Sequence, residues 1–356
     1  MEMSLLEQTL AAITSLDPAA GRAVSGKLDS LTKPPGSLGY LEDFVRQYAA
    51  IRHDPAARFG GGALMVFVAD HGVADVAVSA YPKAVTAQML RNIGAGGAAI
   101  SVLARHFGYR LFVTDVGVET DTSLSPLPGV SYRRVSAGTR NFLDGPAMTV
   151  EEARQALEAG IETTREAAGG GATLLGIGEM GIANSTSAAA ILAALTGLEP
   201  RRIAGRGTGL DDAGLERKIG AVEAALRLHR GSFDDGMETL AALGGFEIAA
   251  MTGACLAAAA RNLPVVIDGF IATAAAAIAQ KIRPGLCDYM FFGHRSAEGG
   301  HSIVLEIMGV RPILDLGMRL GEGTGAALAM KTIESALALF HQMATFTGAG
   351  VSGKLE

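Results

Sequence analysis

The stretch TLLGIGEMGIANST, residues 173–186, decides the fold. Positions 173–177 form an apolar run without polar alternation, the pattern of a strand buried on both faces. A glycine-rich turn over 176–181 follows, and a helical pattern begins at 185 and runs to 195. Strand, tight turn and helix in that order make half of a parallel βαβ unit. Apolar runs over 63–69, 110–116, 264–267, 289–292 and 312–316 read as further buried strands. Helical patterns separate them over 84–93, 96–106, 150–168, 215–229, 246–261 and 270–282. The expected fold is α/β: a Rossmann-like, mostly parallel sheet of six strands with helices on both faces. Helical spacing also marks 4–14, 38–52 and 325–345, which predicts a small helical bundle built from both chain ends. The expected division is a large catalytic α/β domain over 59–317 and a small helical domain of 1–58 with 318–356.

Each proposed strand runs into small, polar or charged residues. These are Asp70-His71-Gly72, Gly117-Val118, Gly178-Glu179-Met180-Gly181, Asp268-Gly269, Gly293-His294-Arg295, and Gly317 leading to Gly321-Glu322-Gly323. In open parallel sheets the ligand crevice lies outside the carboxyl ends of the strands. The loops therefore converge on one candidate site. Ordinary strand-to-helix turns explain any single loop, but poorly explain all of them together. Glycine makes up 47 of 356 residues, roughly twice its usual share, and is placed between apolar runs rather than in linkers.

Composition narrows the classes. Apolar residues form 49% of the chain, enough for a sizeable core without disulfides. The two cysteines, Cys255 and Cys287, lie in apolar surroundings without C-x-x-C spacing and read as reduced core thiols. The start, MEMSLLEQTL, is acidic and amphipathic, unlike a secretion signal or a transit peptide. The most apolar stretch, 263–279, is mostly alanine and contains Asp268 and Gly269, unlike a membrane span. A net charge of −6 and the lack of a basic run argue against a nucleic-acid partner. A cytoplasmic enzyme is expected.

Residues 176–181 fit G-x-G-x-x-G, which alone suggests a dinucleotide site and hence an NAD-dependent dehydrogenase with Glu199 as its ribose acid. Against that, the motif sits on the third strand and Glu179 lies where a pyrophosphate would approach. Gly181, Asn184, Ser185 and Thr186 at the start of the next helix suit a single phosphate better. GRGTGLDD, residues 205–212, adds Gly205, Arg206 and Gly207, with Lys218 on the following helix as a further positive charge. LGEGTG, residues 320–325, sets Glu322 between glycines at the head of the last long helix. It reads either as a helix-dipole acid or as a general base facing the crevice. A non-catalytic nucleotide-binding module is a third reading, but one with little use for such a glutamate. No H-E-x-x-H metal spacing and no G-x-S-x-G elbow occur, so neither a metal nor a serine nucleophile is expected.

Nine stretches, in order, carry a resemblance. They are LTKPPGSLGYLE, VFVADHGV with SAYPKAVTAQM, NIGAGGAAISVLAR, GIGEMGIANSTSAAA, GRGTGLDD, LGGFEIAAMTGA, PVVIDGFI, GHRSAEGGH and LDLGMRLGEGTGAALAM. Together they resemble the nicotinate-nucleotide–dimethylbenzimidazole phosphoribosyltransferase family from about residue 31 to 346. The resemblance implies transfer of ribose 5-phosphate from nicotinate mononucleotide to 5,6-dimethylbenzimidazole, giving α-ribazole 5'-phosphate and nicotinate. It also implies a homodimer whose partner subunit helps close the site. Carried over by motif, the catalytic base falls on Glu322, with Glu179 and Lys218 as further catalytic residues. The acceptor base falls to Ser79, Tyr81, Gln88 and Leu320, and the phosphate and ribose to Gly181, Asn184, Ser185, Thr186, Gly205, Arg206 and Gly207. No cofactor is implied, because nicotinate bound through a cationic ring nitrogen is already a good leaving group.

Overall fold

The structure is a computed structural model that describes residues 3–120, 125–207 and 209–352. Seven parallel strands form one sheet: β1 Gly62–Ala69, β2 Arg110–Gly117, β3 Val130–Tyr132, β4 Leu174–Met180, β5 Val265–Ile267, β6 Met290–His294 and β7 Pro312–Leu314. The expectation of six strands is corrected here. β3 is a three-residue edge strand, only partly buried, and pairs with Val113–Asp115 of β2 alone. Too short to show a period, it left no signal in the sequence.

The strand order is β3-β2-β1-β4-β5-β6-β7. The chain winds outward from β1 to β3, then crosses back and continues from β4 to β7, so the direction reverses between β1 and β4. Ligands in doubly wound sheets bind at that reversal, beyond the carboxyl ends of the strands. Right-handed crossovers in opposite directions put their helices on opposite faces.

The first three helices, α1 Leu5–Ala11, α2 Pro18–Ser30 and α3 Tyr40–Arg52, precede the sheet. Ser4 caps α1 in a capping box with Glu7, and Asp17 caps α2 with Pro18 in its first turn. Next come α4 Val85–Gly94, α5 Ala99–Phe107, α6 Val150–Gly169, α7 Asn184–Thr196, α8 Pro200–Ile203 and α9 Asp212–Leu228. The remainder are α10 Gly236–Leu243, α11 Phe246–Ala260, α12 Phe270–Ile282, α13 His301–Ile307, α14 Thr324–Gln342 and α15 Phe346–Ala349. Among the described residues no helix is long and apolar enough to cross a membrane.

Helices α6 and α11 form the most extensive helix pair and pack on β1 and β2. Two reciprocal glycines allow their approach. A Cβ at Gly160 would overlap the Ala250 carbonyl, and one at Gly253 the Leu157 carbonyl. On the other side α14 lies against β4, β5 and β6 and also touches α5 and α3. The two chain ends meet where Leu31 bridges Thr345 and the Thr32 N–H donates to the Ala344 carbonyl at 2.9 Å.

Candidate active site

At the sheet reversal, β4 ends in Glu179 and Met180, and β1 ends beside Asp70 and His71. The loop before α14 lies across the end of β4: the Glu322 N–H donates to the Glu179 backbone carbonyl at 3.2 Å. That approach needs Gly178, where a Cβ would overlap the Gly323 nitrogen, and Gly321, where it would lie 2.5 Å from Glu179 Oε1. Two non-glycine residues here take left-handed backbone, Glu322 at φ 62° and Ala183 at φ 74°. Such conformations cost about 1–2 kcal/mol each and are held by the surroundings.

Both carboxyls are buried. Glu322 Oε2 accepts from the Ile100 N–H at 3.3 Å, so the side chain caps the otherwise uncapped start of α5. Burial nevertheless raises its carboxyl above the ordinary range, outweighing that bond, and the nearby Asp268 charge adds to the rise. Glu179 accepts from Asn184 Nδ2. Its carboxyl is pushed up to about 8, first by burial and then by the charges of Glu247, Asp268 and Glu322. Asp268, at the end of β5, accepts from the Gly323 N–H at 3.1 Å and the Ala326 N–H at 3.0 Å. It thereby caps α14 from another strand and fixes the Glu322 loop.

Beneath this layer His71 bridges Ser187 Oγ at 3.0 Å and Glu247 Oε1 at 2.6 Å, all buried. On the far side the Lys218 ammonium, fully buried, donates to Ser185 Oγ and the Gly205 carbonyl at 3.0 Å and to Glu298 Oε1 at 3.3 Å. Burial lowers its pKa, against the pull of Glu298. Glu298 Oε2 also accepts from the Gly207 N–H at 2.9 Å. His301, depressed by burial to about 3, is neutral. Its Nδ1 accepts from the Ser296 N–H, so Nε2 carries the proton toward Thr273 Oγ1.

One cleft is lined by Ser79, Glu179, Gly181, Asn184, Ser185, Gly207 and Leu320 from the sequence-predicted set. Glu322, Lys218 and Gly205 adjoin it through the bonds above. Thr186 is buried in α7 one residue beyond the lining. Tyr81, whose N–H donates to Ser79 Oγ, and Gln88 are exposed and do not line it. Arg206 is half exposed and turns away, paired with Asp212 and bonded to the Leu210 carbonyl. Thr208 of the same motif lies outside the described residues. The lining also includes Asp268, Phe270, His294, Ser296 and Glu298, to which the sequence assigned no role. Asp268 and His294 stood among the strand-end residues and within the stretches PVVIDGFI and GHRSAEGGH, without a role.

The arrangement offers buried carboxyls to accept a proton and face developing positive charge, beside a helix N-terminus and a buried ammonium. A family model described as phosphoribosyltransferase matches residues 13–351. The nicotinate-nucleotide–dimethylbenzimidazole phosphoribosyltransferase of Chloroflexus aurantiacus is 49% identical over 353 residues, covering 99% of this chain and 100% of the relative.

The chain belongs to the nicotinate-nucleotide–dimethylbenzimidazole phosphoribosyltransferase family.

A family member from Geobacter sp. is 47% identical over 350 residues, covering 98% of this chain and all of its own length. The crystal structure of CobT from Thermus thermophilus superposes with a TM-score of 0.90 at 47% identity, covering 95% of this chain and 100% of that one. The enzyme is thus a pentosyltransferase of this family, and the dehydrogenase reading of residues 176–181 falls. In its place Glu179 stands on the end of β4 itself, and Glu199 is exposed at the start of α8.

Proposed function

We propose that this chain moves ribose 5-phosphate from nicotinate mononucleotide to 5,6-dimethylbenzimidazole, releasing nicotinate and α-ribazole 5'-phosphate. The observation that carries the reading is Glu322: a buried carboxyl with raised proton affinity, held by strained backbone against the end of β4. A general base works best when its pKa lies nearer the operating pH than an ordinary carboxylate's.

In this mechanism one benzimidazole nitrogen attacks the anomeric carbon opposite the nicotinate. The new N–C bond forms as the bond to the nicotinate ring nitrogen breaks, and its electron pair neutralises that ring. The second benzimidazole N–H passes its proton to the Glu322 carboxylate. Attack from the opposite face inverts β to α at the anomeric carbon without a covalent intermediate. Positive charge developing on the ribose is steadied by neighbouring carboxylates, and Glu179, pushed up to about 8, shares that role in its ionised form. Gly181, Asn184, Ser185 and Thr186 at the start of α7, with Gly205, Arg206, Gly207 and Lys218, are assigned to the phosphate and ribose. Ser79, Tyr81, Gln88 and Leu320 are assigned to the acceptor base. Of the phosphate group Arg206 has the weakest support, because its guanidinium is engaged by Asp212.

We further assign the working form as a homodimer whose partner closes the cleft. Tyr81, Leu316 and Leu320 support this, being exposed apolar side chains at 51–60% exposure, with Leu320 in the cleft lining. The test of the reaction is direct. The protein is incubated with nicotinate mononucleotide and dimethylbenzimidazole, and products are separated by chromatography. Release of nicotinate matched by α-ribazole 5'-phosphate supports the reading, and its absence beside a working control overturns it.

A further inference from the structure

We infer that His294 contacts the substrate, its imidazole holding a hydroxyl of the transferred ribose. His294 ends β6 and lines the cleft, yet is only 2% exposed. Among the described residues neither Nδ1 nor Nε2 has a hydrogen-bond partner. Asp268 Oδ1 is 3.7 Å from Nδ1, within ion-pair range but beyond hydrogen-bond distance, and already takes the Ala326 N–H. Leaving buried polar atoms unsatisfied costs enough that such groups call for an explanation.

The ring has a built seat. A Cβ at Gly325 would overlap it, and one at Gly269 would lie 2.8 Å from Cε1. Two elements thus give up side chains where the imidazole stands, the first turn of α14 and the residue before α12. Room is made for a ring that has no hydrogen-bond partner among the described residues.

The chemistry selects the ligand group. The ring nitrogens of an imidazole can donate to or accept from a hydroxyl, which can itself do either. Asp268 and Glu179 in the same lining disfavour an anion beside the ring. His294 lies 3.7 Å from Asp268, which holds the Glu322 loop through the Gly323 N–H, and two residues before Ser296, whose hydroxyl accepts from the N–H of Glu298, the partner of Lys218. The ribose is the part of the nucleotide that joins the phosphate to the reacting carbon, and it carries hydroxyls. This inference rests on the proposed reaction.

The test compares nicotinate mononucleotide with its 2'-deoxy and 3'-deoxy analogues in the unaltered enzyme and in His294→Ala and His294→Asn. In the unaltered enzyme, removing the hydroxyl that His294 holds lowers kcat/KM about tenfold, the worth of one good hydrogen bond. In His294→Ala that penalty falls to near onefold for the same analogue and stays unchanged for the other. His294→Asn, closer in shape, serves the same comparison if the alanine variant does not fold, and retains part of the penalty. Equal penalties in the enzyme and a folded variant overturn the role of His294 while leaving the reaction standing. Loss of discrimination between nicotinate and nicotinamide mononucleotides instead would place the ring at the leaving group and overturn it too. No turnover by the unaltered enzyme overturns both readings.

Discussion

Glu322 is tied to Glu179 by a 3.2 Å hydrogen bond from the backbone N–H of the first to the backbone carbonyl of the second. Their side chains diverge from this link. One carboxyl caps α5 through Ile100, and the other stays in the cleft lining with Asn184. Two buried acids, one at the end of β4 and one in the loop before α14, therefore have different partners.

Glu322→Gln keeps size and the cap on α5 but removes basicity. Turnover should fall roughly 10²- to 10⁴-fold, the usual contribution of a general base, with nucleotide affinity nearly unchanged. Nicotinate release together with a binding titration checks this. In the unaltered enzyme the rate should rise with pH through the Glu322 pKa, and that acid limb should lie above the ordinary 4.5.

Glu179 gives a stability prediction with a definite sign. Its carboxyl titrates near 4.5 when unfolded and near 8 when folded. Between those values the folded state binds the extra proton, so this group costs stability progressively as pH rises from about 4.5 to 8. Glu179→Gln, neutral throughout, should melt higher than the parent at pH 8.5, with the difference vanishing toward pH 4.5. Calorimetric melting across that range checks it, and a constant difference would refute the assignment.

Lys218→Met leaves Glu298 buried without its cation. The loss should be about 3–5 kcal/mol in denaturant unfolding. Adding Glu298→Gln should recover most of it, because the uncompensated charge goes while the Gly207 N–H keeps an acceptor.

Gly253→Ala should destabilise by about 1–3 kcal/mol, measured by denaturant unfolding, since the added methyl drives α11 away from the Leu157 carbonyl of α6. Neither Gly253 nor Leu157 lines the cleft, so activity per folded molecule should change little. Gly178→Ala should do the reverse, displacing the Glu322 loop and lowering turnover more than stability.

The sheet was legible because its strands are uniformly apolar and bounded by glycine. The six longer runs all became strands, with ends shifted by a few residues. Helix α2 escaped because Gly21 and Gly26 interrupt its pattern, and α10 and α13 because eight and seven residues show too little period. Glu179 and Glu322 stood out as acids flanked by glycine. The capping of α14 by Asp268 was hidden, since 55 residues separate it from the Gly323 N–H it receives. Arg206 stands differently. Beside glycines it suggested a phosphate ligand, and in the structure its guanidinium pairs with Asp212, six residues on.

Helix α14 has a consequence for biosynthesis. It follows all seven strands in the chain, yet it covers β4, β5 and β6 and brings Glu322 to the end of β4. On the ribosome every strand emerges before the helix that covers the middle of the sheet. Until α14 arrives, the apolar face at Gly176, which packs against Met330, stays open to solvent and to other nascent chains. Assembly of the catalytic centre and sealing of this hydrophobic face are therefore one late event in synthesis, and a chain cut short before α14 would be both inactive and prone to aggregate.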